Sequence, residues 1–289
     1  MITVFAPAGL GEITPATDLV AVLVDAVEGD PSGPLADGDI VVVTSKIISK
    51  AEGRTAAAGD RRAAIRAATV RTVARRGETM IIRDRHGRTL AAAGVDASNV
   101  APELILLLPQ DPDGSAAALC RALRQRTGRQ LGVIISDTAG RAWRIGQTDH
   151  AIGAAGVVVR RSYAGERDAY GNPLEVTETA LADELAAAAD LAKGKLAGRP
   201  VAVIRGLAAL VGESTEGAGV LVRPPGQDMF GFGSRESVLA AALAAVGRLD
   251  AYEELVALDG SERADAVIRI VGAEGSAAAL LRGMLSAAL

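Results

Sequence analysis

The sequence of 289 residues contains a single cysteine, Cys120, and only 2% aromatic residues. A single cysteine excludes an intramolecular disulfide and is typical of a protein from a reducing compartment. The scarcity of aromatic side chains argues against a surface on which the bases of single-stranded nucleic acid stack. The core is therefore expected to be aliphatic, with Cys120 as a small core residue inside an Ala-rich helix.

Long apolar runs are also missing, because no uninterrupted stretch approaches the ~20 residues that cross a bilayer. The first eleven residues contain no pattern of a secretory signal peptide. A formal net charge of -4 argues against nucleic-acid binding, and we interpret the Arg-rich segment 61–88 as a solvated helix face. We expect a cytoplasmic protein with no nucleic-acid and no membrane partner.

The rest of the composition is that of a globular protein, with 49% hydrophobic and 23% charged residues. Short apolar or β-branched runs predict buried strands, and Ala- and Leu-rich segments with helical spacing predict helices. The strands are expected at residues 2–5, 40–43, 80–82, 104–108, 133–135 and 201–204. The helices are expected at residues 19–27, 61–76, 115–126 and 177–193, with two or three more from residue 234 onward.

Residues 133–147 concentrate the chemistry of the chain, because a short buried strand ends there in a group of polar side chains. Asp137 and Thr138 provide hard oxygen atoms suited to Mg2+ or Mn2+. Arg141 and Arg144 provide positive charge suited to phosphate or carboxylate. The alternative is a polar surface loop in which these residues pair with one another.

Three further loops carry groups of the same kind. Residues 9–13 contain two glycines, which let backbone N–H groups approach an anion, and residues 44–54 combine hydroxyls, lysines, a glutamate and an arginine. For the second loop, a helix cap by Ser45 or Ser49 is an equal alternative. Asp96 and Asn99 place a carboxylate and an amide on one turn, with an Asx turn as the alternative.

Other acidic residues are assigned structural roles. Asp111 and Asp113 precede a predicted helix and are expected to cap it and to complement its dipole. Asp183 and Glu184 interrupt the apolar face of the helix predicted at residues 177–193, and we interpret them as surface charge.

Taken together, the loops resemble those of the coenzyme F-420-0:L-glutamate ligases, the gamma-glutamyl ligases of deazaflavin coenzyme biosynthesis. The similarity extends from about residue 3 to about residue 233, with the motifs in the same order and at the same spacing. The matching segments are residues 9–12, 39–46, 49–54, 94–100, 108–113, 136–144, 183–186 and 203–206.

This resemblance implies GTP-dependent and metal-dependent ligation of L-glutamate to coenzyme F-420-0 through an acyl phosphate, with further gamma-linked glutamates as an additional outcome. It implies Mg2+ or Mn2+ as the metal, GTP as co-substrate and K+ as a further candidate cofactor. By motif position, the metal ligands are Asp96, Asp137 and Thr138, and the catalytic residues are Arg141 and Arg144. The nucleotide-contacting positions are Leu10, Gly11, Glu12, Ile13, Ser45, Lys50 and Asn99.

The implied fold is α+β, with mixed sheets, flanking helices, two interlinked subdomains and an intertwined homodimer. We expect a ligase core at residues 1–233 and a short C-terminal helical extension at residues 234–289, too short for the flavin reductase domain of some relatives. The chain departs from the family at Gly11, where proline is usual, and at residues 16–19. Two alternatives are a related ligase with another amino acid or phospho-acid acceptor, and a binding protein that holds a deazaflavin or nucleotide without turnover.

Overall fold

The computed structural model describes residues 1–213 and 216–286 and divides the chain into two compact units. The first consists of Met1–Arg61 and Val95–Val222, and the second consists of Arg62–Gly94 and Arg223–Leu289. The C-terminal helices belong to the same compact unit as residues 62–94.

The first unit is built on a mixed five-stranded sheet with the order β1-β12-β2-β8-β9. Its strands are β1 (Thr3–Phe5), β2 (Ile40–Thr44), β8 (Gly132–Arg141), β9 (Arg144–Ala155) and β12 (Val201–Arg205). β2 and β8 are parallel, whereas the other pairs are antiparallel. This unit also contains the short pairs β3 (Thr55–Ala57) with β7 (Leu104–Leu106), and β10 (Arg161–Ser162) with β11 (Glu178–Thr179).

Helices cover both faces of this sheet, as the uninterrupted apolar sequence of β2 predicts. The helices of the first unit are α1 (Leu19–Glu28), α2 (Ser45–Ala51), α4 (Pro112–Thr127) and α5 (Leu181–Lys193). Val41 and Val43 of β2 pack in the core with α1, α2 and α4, whereas Ile40 and Val42 pack in the core with α5. Successive strand residues point to opposite faces, so both halves of the strand are buried.

The second unit contains a three-stranded antiparallel sheet and the C-terminal helices. The sheet consists of β4 (Arg71–Arg76), β5 (Thr79–Arg83) and β6 (Thr89–Ala91), and α3 (Arg61–Ala68) precedes it. The helices are α6 (Ser234–Ala245), α7 (Tyr252–Val256), α8 (Gly260–Val271) and α9 (Gly275–Ser286). They enclose a separate aliphatic core that includes Leu239, Leu243 and Val267.

Several predicted elements are confirmed, and others are wrong at their ends. The helix predicted at residues 61–76 is wrong in its second half, where β4 begins after the β-branched pair Thr69 and Val70. The helix predicted from residue 177 begins at Leu181, because residues 178 and 179 pair with β10. Cys120 is buried in the core, as expected, and its burial raises the pKa of the thiol.

The α+β class is confirmed by the mixed sheets and flanking helices. Among the described residues, none of the helices combines the length and the apolar character needed to cross a membrane.

Candidate functional site

Two parallel strands bring the first polar side chains together at one edge of the sheet. Thr44 at the end of β2 is the register partner of Ser136 in β8, so the residues after them are neighbours. Ser45 begins α2, and its Oγ donates a hydrogen bond of 2.8 Å to Oδ1 of Asp137. The hydroxyl therefore holds a predicted metal ligand instead of capping the helix.

Asp96 reaches this edge from the segment that bridges to β7. Lys46 Nζ lies 2.6 Å from Asp96 Oδ2 and also contacts Ser98 Oγ. The Ser98 N–H donates to Asp96 Oδ1 at 2.7 Å, which is the Asx turn considered from the sequence. Although burial opposes it, hydrogen bonding to Lys46 and Ser98 lowers the pKa of Asp96, so this carboxylate is charged at neutral pH.

Asp137 lies in surroundings that disfavour its charge. Burial raises its pKa to about 6; the carboxylates of Asp149 and Asp96 add to this increase, whereas the hydrogen bond from Ser45 and the charge of Lys46 oppose it. A carboxylate that is destabilised by burial and by neighbouring anions gains electrostatic energy when a cation binds beside it.

Thr138 directs its hydroxyl to the opposite face of β8. Its Oγ1 donates to Oδ1 of Asp149 on β9 at 2.7 Å and accepts from Lys195 Nζ at 3.1 Å. Asp137 and Thr138 are adjacent in sequence, but the first binds a residue of α2 and the second binds β9 and the turn after α5. The alternation of a β-strand explains this separation.

The Asp149 carboxylate is paired with a buried lysine. Lys193 Nζ lies 2.8 Å from Asp149 Oδ2 and 2.9 Å from Ser136 Oγ, and the side chains of Lys193 and Asp149 are 4% and 3% exposed. Burial raises the pKa of Asp149, but the charge of Lys193 and three hydrogen bonds outweigh it, so the pKa is lowered.

The loop at residues 9–13 lies beside the far end of α2. Leu10 and Ile13 are buried, whereas Gly11 and Glu12 are exposed. Glu12 Oε1 accepts a hydrogen bond of 2.5 Å from Lys50 Nζ. The loop thus brings Glu12 and Lys50, two of the predicted nucleotide-contacting positions, next to each other. In this arrangement the Lys50 ammonium is paired with the Glu12 carboxylate.

Gly11 has the left-handed φ of +68°, and the proline that is usual at this position in the family cannot adopt it. The loop of this chain therefore has a backbone conformation that requires a residue other than proline at position 11. Asn99 also has a left-handed φ of 55° and is exposed, which fits a turn that leaves its amide accessible.

A cavity of about 520 Å3 adjoins this loop. Gly9, Leu10, Asp25, Asp30 and Arg199 are among the residues that line it. Its volume lies in the range of pockets that hold small molecules.

Arg141 and Arg144 lie at the tip of the β8–β9 hairpin. Arg141 is half-buried and Arg144 is exposed, and the two residues are register partners. Arg141 lies four positions after Asp137 along the extended strand, which corresponds to roughly 13 Å between their Cα atoms. The predicted catalytic arginines are thus placed beyond the carboxylates, at the hairpin tip. The polar loop expected after residue 135 is wrong, because residues 136–141 continue the strand.

Two of the three predicted metal ligands fit the chemistry of a divalent cation. Among the described residues, no three side chains of Asp, Glu, His or Cys converge closely enough to form a metal site. Mg2+ is usually held by only one or two carboxylates together with substrate phosphates and water. Asp96 and Asp137 supply hard oxygens in that number, so they fit such a cation, whereas the hydroxyl of Thr138 is already engaged by Asp149 and Lys195.

Of the acidic residues assigned structural roles, Asp111 caps a helix as expected, whereas Asp113 and Asp183 make other contacts. Asp111 accepts a hydrogen bond from the Gly114 N–H as the cap of α4. Asp113 instead accepts from the N–H groups of Ala154 and Ala218, which ties α4 to β9 and to the segment after β12. Asp183 also has a structural contact, because it accepts from the Ala151 N–H at 2.9 Å.

Comparison with known proteins decides the family. The chain matches the family model described as F420-0:Gamma-glutamyl ligase over residues 9–74 and 61–206. The chain belongs to this family.

Relatives of the gamma-glutamyl ligase family match over most of their length. A protein named Coenzyme F420:L-glutamate ligase from Methanothermobacter thermautotrophicus is 40% identical over 235 residues, which are 74% of this chain and 93% of that protein. Proteins of the same name from Methanopyrus kandleri and Archaeoglobus fulgidus are 36% and 37% identical over 76% and 71% of this chain, and 93% and 88% of their own lengths.

The structure adds residues to the candidate site that the sequence patterns did not single out. Four such residues bind members of the predicted set or their neighbours, namely Lys46, Asp149, Lys193 and Lys195. Lys193 ends α5 and Lys195 lies in the turn that follows it, where a lysine is expected to complement the helix dipole, so no local signal separated them from solvent-exposed charge. Asp149 lies shortly after the polar segment 133–147, and this proximity was the one signal that the sequence offered.

Proposed function

We propose that this chain joins L-glutamate to coenzyme F-420-0 in a GTP-dependent and divalent-metal-dependent reaction. Membership of the gamma-glutamyl ligase family and the names of its relatives support the ligation of glutamate. The observation that carries the proposal is the convergence of Ser45, Asp137, Lys46 and Asp96 at the edge of β2 and β8. Carboxylates and ammonium groups in such proximity suit a ligand that brings both phosphates and a cation.

The proposed chemistry has two steps. A carboxylate oxygen of coenzyme F-420-0 attacks the γ-phosphorus of GTP, and the bond to the β-phosphate oxygen breaks to release GDP. The amine of L-glutamate then attacks the acyl carbon, loses a proton and expels phosphate, which leaves an amide. A divalent cation, when bound, would neutralise charge on the phosphates, and Asp96 and Asp137 would hold it.

The protein side chains have distinct tasks in this scheme. Lys46 lies next to Asp96 and brings a positive charge to the phosphates, and Lys50 brings another near the loop at residues 9–13. We assign the nucleoside to the cavity beside Leu10, whose volume of about 520 Å3 suits it. Arg141 and Arg144 remain assigned to a phosphate or carboxylate that extends toward the hairpin tip.

A mass-spectrometric assay tests the proposal. Purified protein is incubated with coenzyme F-420-0, L-glutamate, Mn2+ and GTP, and parallel reactions contain ATP in place of GTP or EDTA in place of Mn2+. We expect a product heavier by one or more glutamyl residues only in the reaction that contains both GTP and Mn2+. Equal product with ATP would contradict the guanine preference, and product in EDTA would contradict the metal requirement.

A further comparison separates the ligase from the two alternatives. If folded protein forms no product but binds GTP or the deazaflavin by calorimetry, the chain is a binding protein. If GDP is released only when another amino acid or phospho-acid is supplied, the chain is a ligase for that acceptor. Either result would replace the proposed reaction.

A further inference from the structure

Lys46 places a positive charge beside both carboxylates that are proposed to hold a divalent cation. Its Nζ lies 2.6 Å from Asp96 Oδ2 and also donates to Ser98 Oγ. The same charge reaches the second carboxylate, since burial raises the pKa of Asp137 and Lys46 partly offsets that rise. One ammonium group therefore counters the charge of Asp96 and Asp137 together.

Both oxygens of Asp96 are engaged in this arrangement. Oδ1 accepts from the Ser98 N–H at 2.7 Å, so it is directed toward the backbone of its own turn. Oδ2 is the oxygen that remains for a metal ion, and it is the one that Lys46 holds. A divalent cation at Oδ2 would lie close to the ammonium, and the repulsion between like charges is strong at short range. The ammonium and a metal ion therefore compete for one carboxylate oxygen.

The Lys46 side chain is able to give up this contact. It is the second residue of α2, and its four-carbon stem is flexible. The side chains of Lys46 and Asp96 are 22% and 40% exposed, so water reaches the ion pair, and pairs of this kind contribute little to stability. A phosphate oxygen is a suitable new partner for the ammonium, because the hydrogen bond between them is charge-assisted.

We propose that Lys46 is an internal counter-ion that neutralises Asp96 in the nucleotide-free protein and leaves it when a divalent cation arrives on the phosphates of the nucleotide. Lys46 then contacts a phosphate oxygen in place of Asp96 Oδ2. A metal ion alone displaces Lys46 without offering it a partner, whereas a metal–nucleotide complex brings the phosphate with it. The inference rests on the proposed function, because the metal and the nucleotide are those of the proposed reaction.

Binding of Mn2+ to the nucleotide-free protein tests whether Lys46 competes with a metal ion. Lys46→Met removes the charge and keeps an unbranched side chain, and electron paramagnetic resonance of unbound Mn2+ measures the affinity without turnover. We expect Lys46→Met to bind Mn2+ about tenfold more tightly than the wild type, because the repelling ammonium is gone.

Two control variants separate the contact from the general loss of a positive charge. Lys46→Arg keeps the charge beside Asp96 and should bind Mn2+ as weakly as the wild type. Lys50→Met removes the same charge four residues further along α2, from a lysine that is paired with Glu12. It should change the affinity for Mn2+ by no more than about twofold, because charge effects between exposed groups fall off with distance.

Calorimetry with a non-hydrolysable GTP analogue and Mn2+ tests where the ammonium goes. Here Lys46→Met should weaken binding about fivefold, because the lost contact with phosphate outweighs the exposed ion pair with Asp96. The substitution therefore acts in opposite directions on the metal alone and on the metal–nucleotide complex. A lysine that stayed on Asp96 in both states would, once removed, give tighter binding of both.

Tighter binding of both ligands by Lys46→Met would thus overturn the proposal. An unchanged or weaker affinity for Mn2+ alone would also overturn it, since the ammonium would then not compete with the metal. Thermal unfolding confirms that each variant is folded, and Lys46→Gln takes the place of Lys46→Met if the latter does not fold.

Inorganic tripolyphosphate separates this inference from the proposed function, because its Mn2+ complex carries the phosphates without the guanine base. If the wild type binds this complex but neither binds the GTP analogue nor forms product, the proposed reaction fails. The exchange then stands or falls on the affinities of Lys46→Met for Mn2+ and for the tripolyphosphate complex. If the wild type forms product and Lys46→Met shifts both affinities in the same direction, only the exchange is overturned. If the wild type binds no metal complex at all, both fail.

Discussion

At the level of single residues, Asp137 links the stability of the protein to its proposed activity. Its pKa rises from the ordinary value of 3.8 to about 6, chiefly because of burial. Between these values the folded chain binds a proton that the unfolded chain does not, so the free energy of unfolding falls as the pH rises from about 4 to 6. Above pH 6 the full cost of the buried charge is present.

Asp137→Asn should therefore stabilise the protein and abolish ligation. Without metal, at pH 7.5, we expect the free energy of unfolding to increase by about 1–2 kcal/mol, and this gain to disappear near pH 4. Urea unfolding at both pH values in EDTA measures it, and the mass-spectrometric assay measures activity. Asp60→Asn, at an exposed carboxylate, is the control and should change neither. A variant with normal turnover would remove Asp137 from the site.

At the level of elements, the β8–β9 hairpin connects the core to the site. Its buried half packs against α4, and a Cβ at Gly153 would lie 2.2 Å from the carbonyl oxygen of Pro112. Its outer half is exposed and carries Arg141 and Arg144. The hairpin is thus closely packed at its buried end and exposed to solvent at its tip.

Gly153→Ala should destabilise the protein strongly, because the backbone of α4 would have to move. We expect a loss of about 2–3 kcal/mol in the free energy of unfolding, at the upper end of the range for overpacking. Gly140→Ala in the same hairpin is the matched control, since a Cβ there meets nothing within 4 Å. Equal denaturant midpoints for the two variants would show that β9 and α4 are less closely packed than described.

The hairpin tip provides a test of the predicted homodimer. Trp143 and Ile145 are 82% and 101% exposed there, which is unusual for large apolar side chains. If the tip takes part in the dimer, Ile145→Ser should weaken association at least tenfold in light-scattering measurements over a range of concentrations. Leu280→Ser, at a side chain 66% exposed on α9, is the control. A monomeric wild-type protein, or a dimer insensitive to Ile145→Ser, would contradict the prediction.

At the level of the whole molecule, the family match ends at residue 206. The residues from 223 onward form one compact unit with residues 62–94. Within the second unit, the C-terminal helices bind the outer edge of β4. Glu253 accepts hydrogen bonds from the N–H and hydroxyl of Thr72 at 2.8 and 2.9 Å, and Tyr252 Oη donates to the Thr72 carbonyl at 2.8 Å. An edge strand left open tends to pair with other chains, so these contacts protect it.

A chain that ends at Gly233 should lose this protection. We expect faster hydrogen exchange at the amides of β4 and rapid proteolysis of residues 62–94, with little change in β2 and β8. Hydrogen-exchange mass spectrometry measures both, and Tyr252→Phe serves as a mild comparison, with a loss of about 1 kcal/mol from the missing hydrogen bond. Unchanged protection of β4 would favour the division at residue 233 that the sequence suggested.

The amino-acid sequence by itself determined the class of fold and singled out part of the candidate site. Residues 40–43 and 201–204 are uninterrupted apolar runs, which are typical of strands buried on both faces. The motifs around Asp96 and Asp137 each lie within a few consecutive residues of the chain. The family followed from the order of these motifs and is confirmed by comparison.

Only the tertiary structure decided which side chains meet. Asp149 and Lys193 are 44 residues apart, and nothing local distinguishes Lys193 from a solvated lysine at the end of a helix. The opposite directions of Asp137 and Thr138 follow from the continuation of β8 through residue 141, where a loop was expected. Side chains distant in the chain meet through strand register and helix packing, and these are set by the fold as a whole.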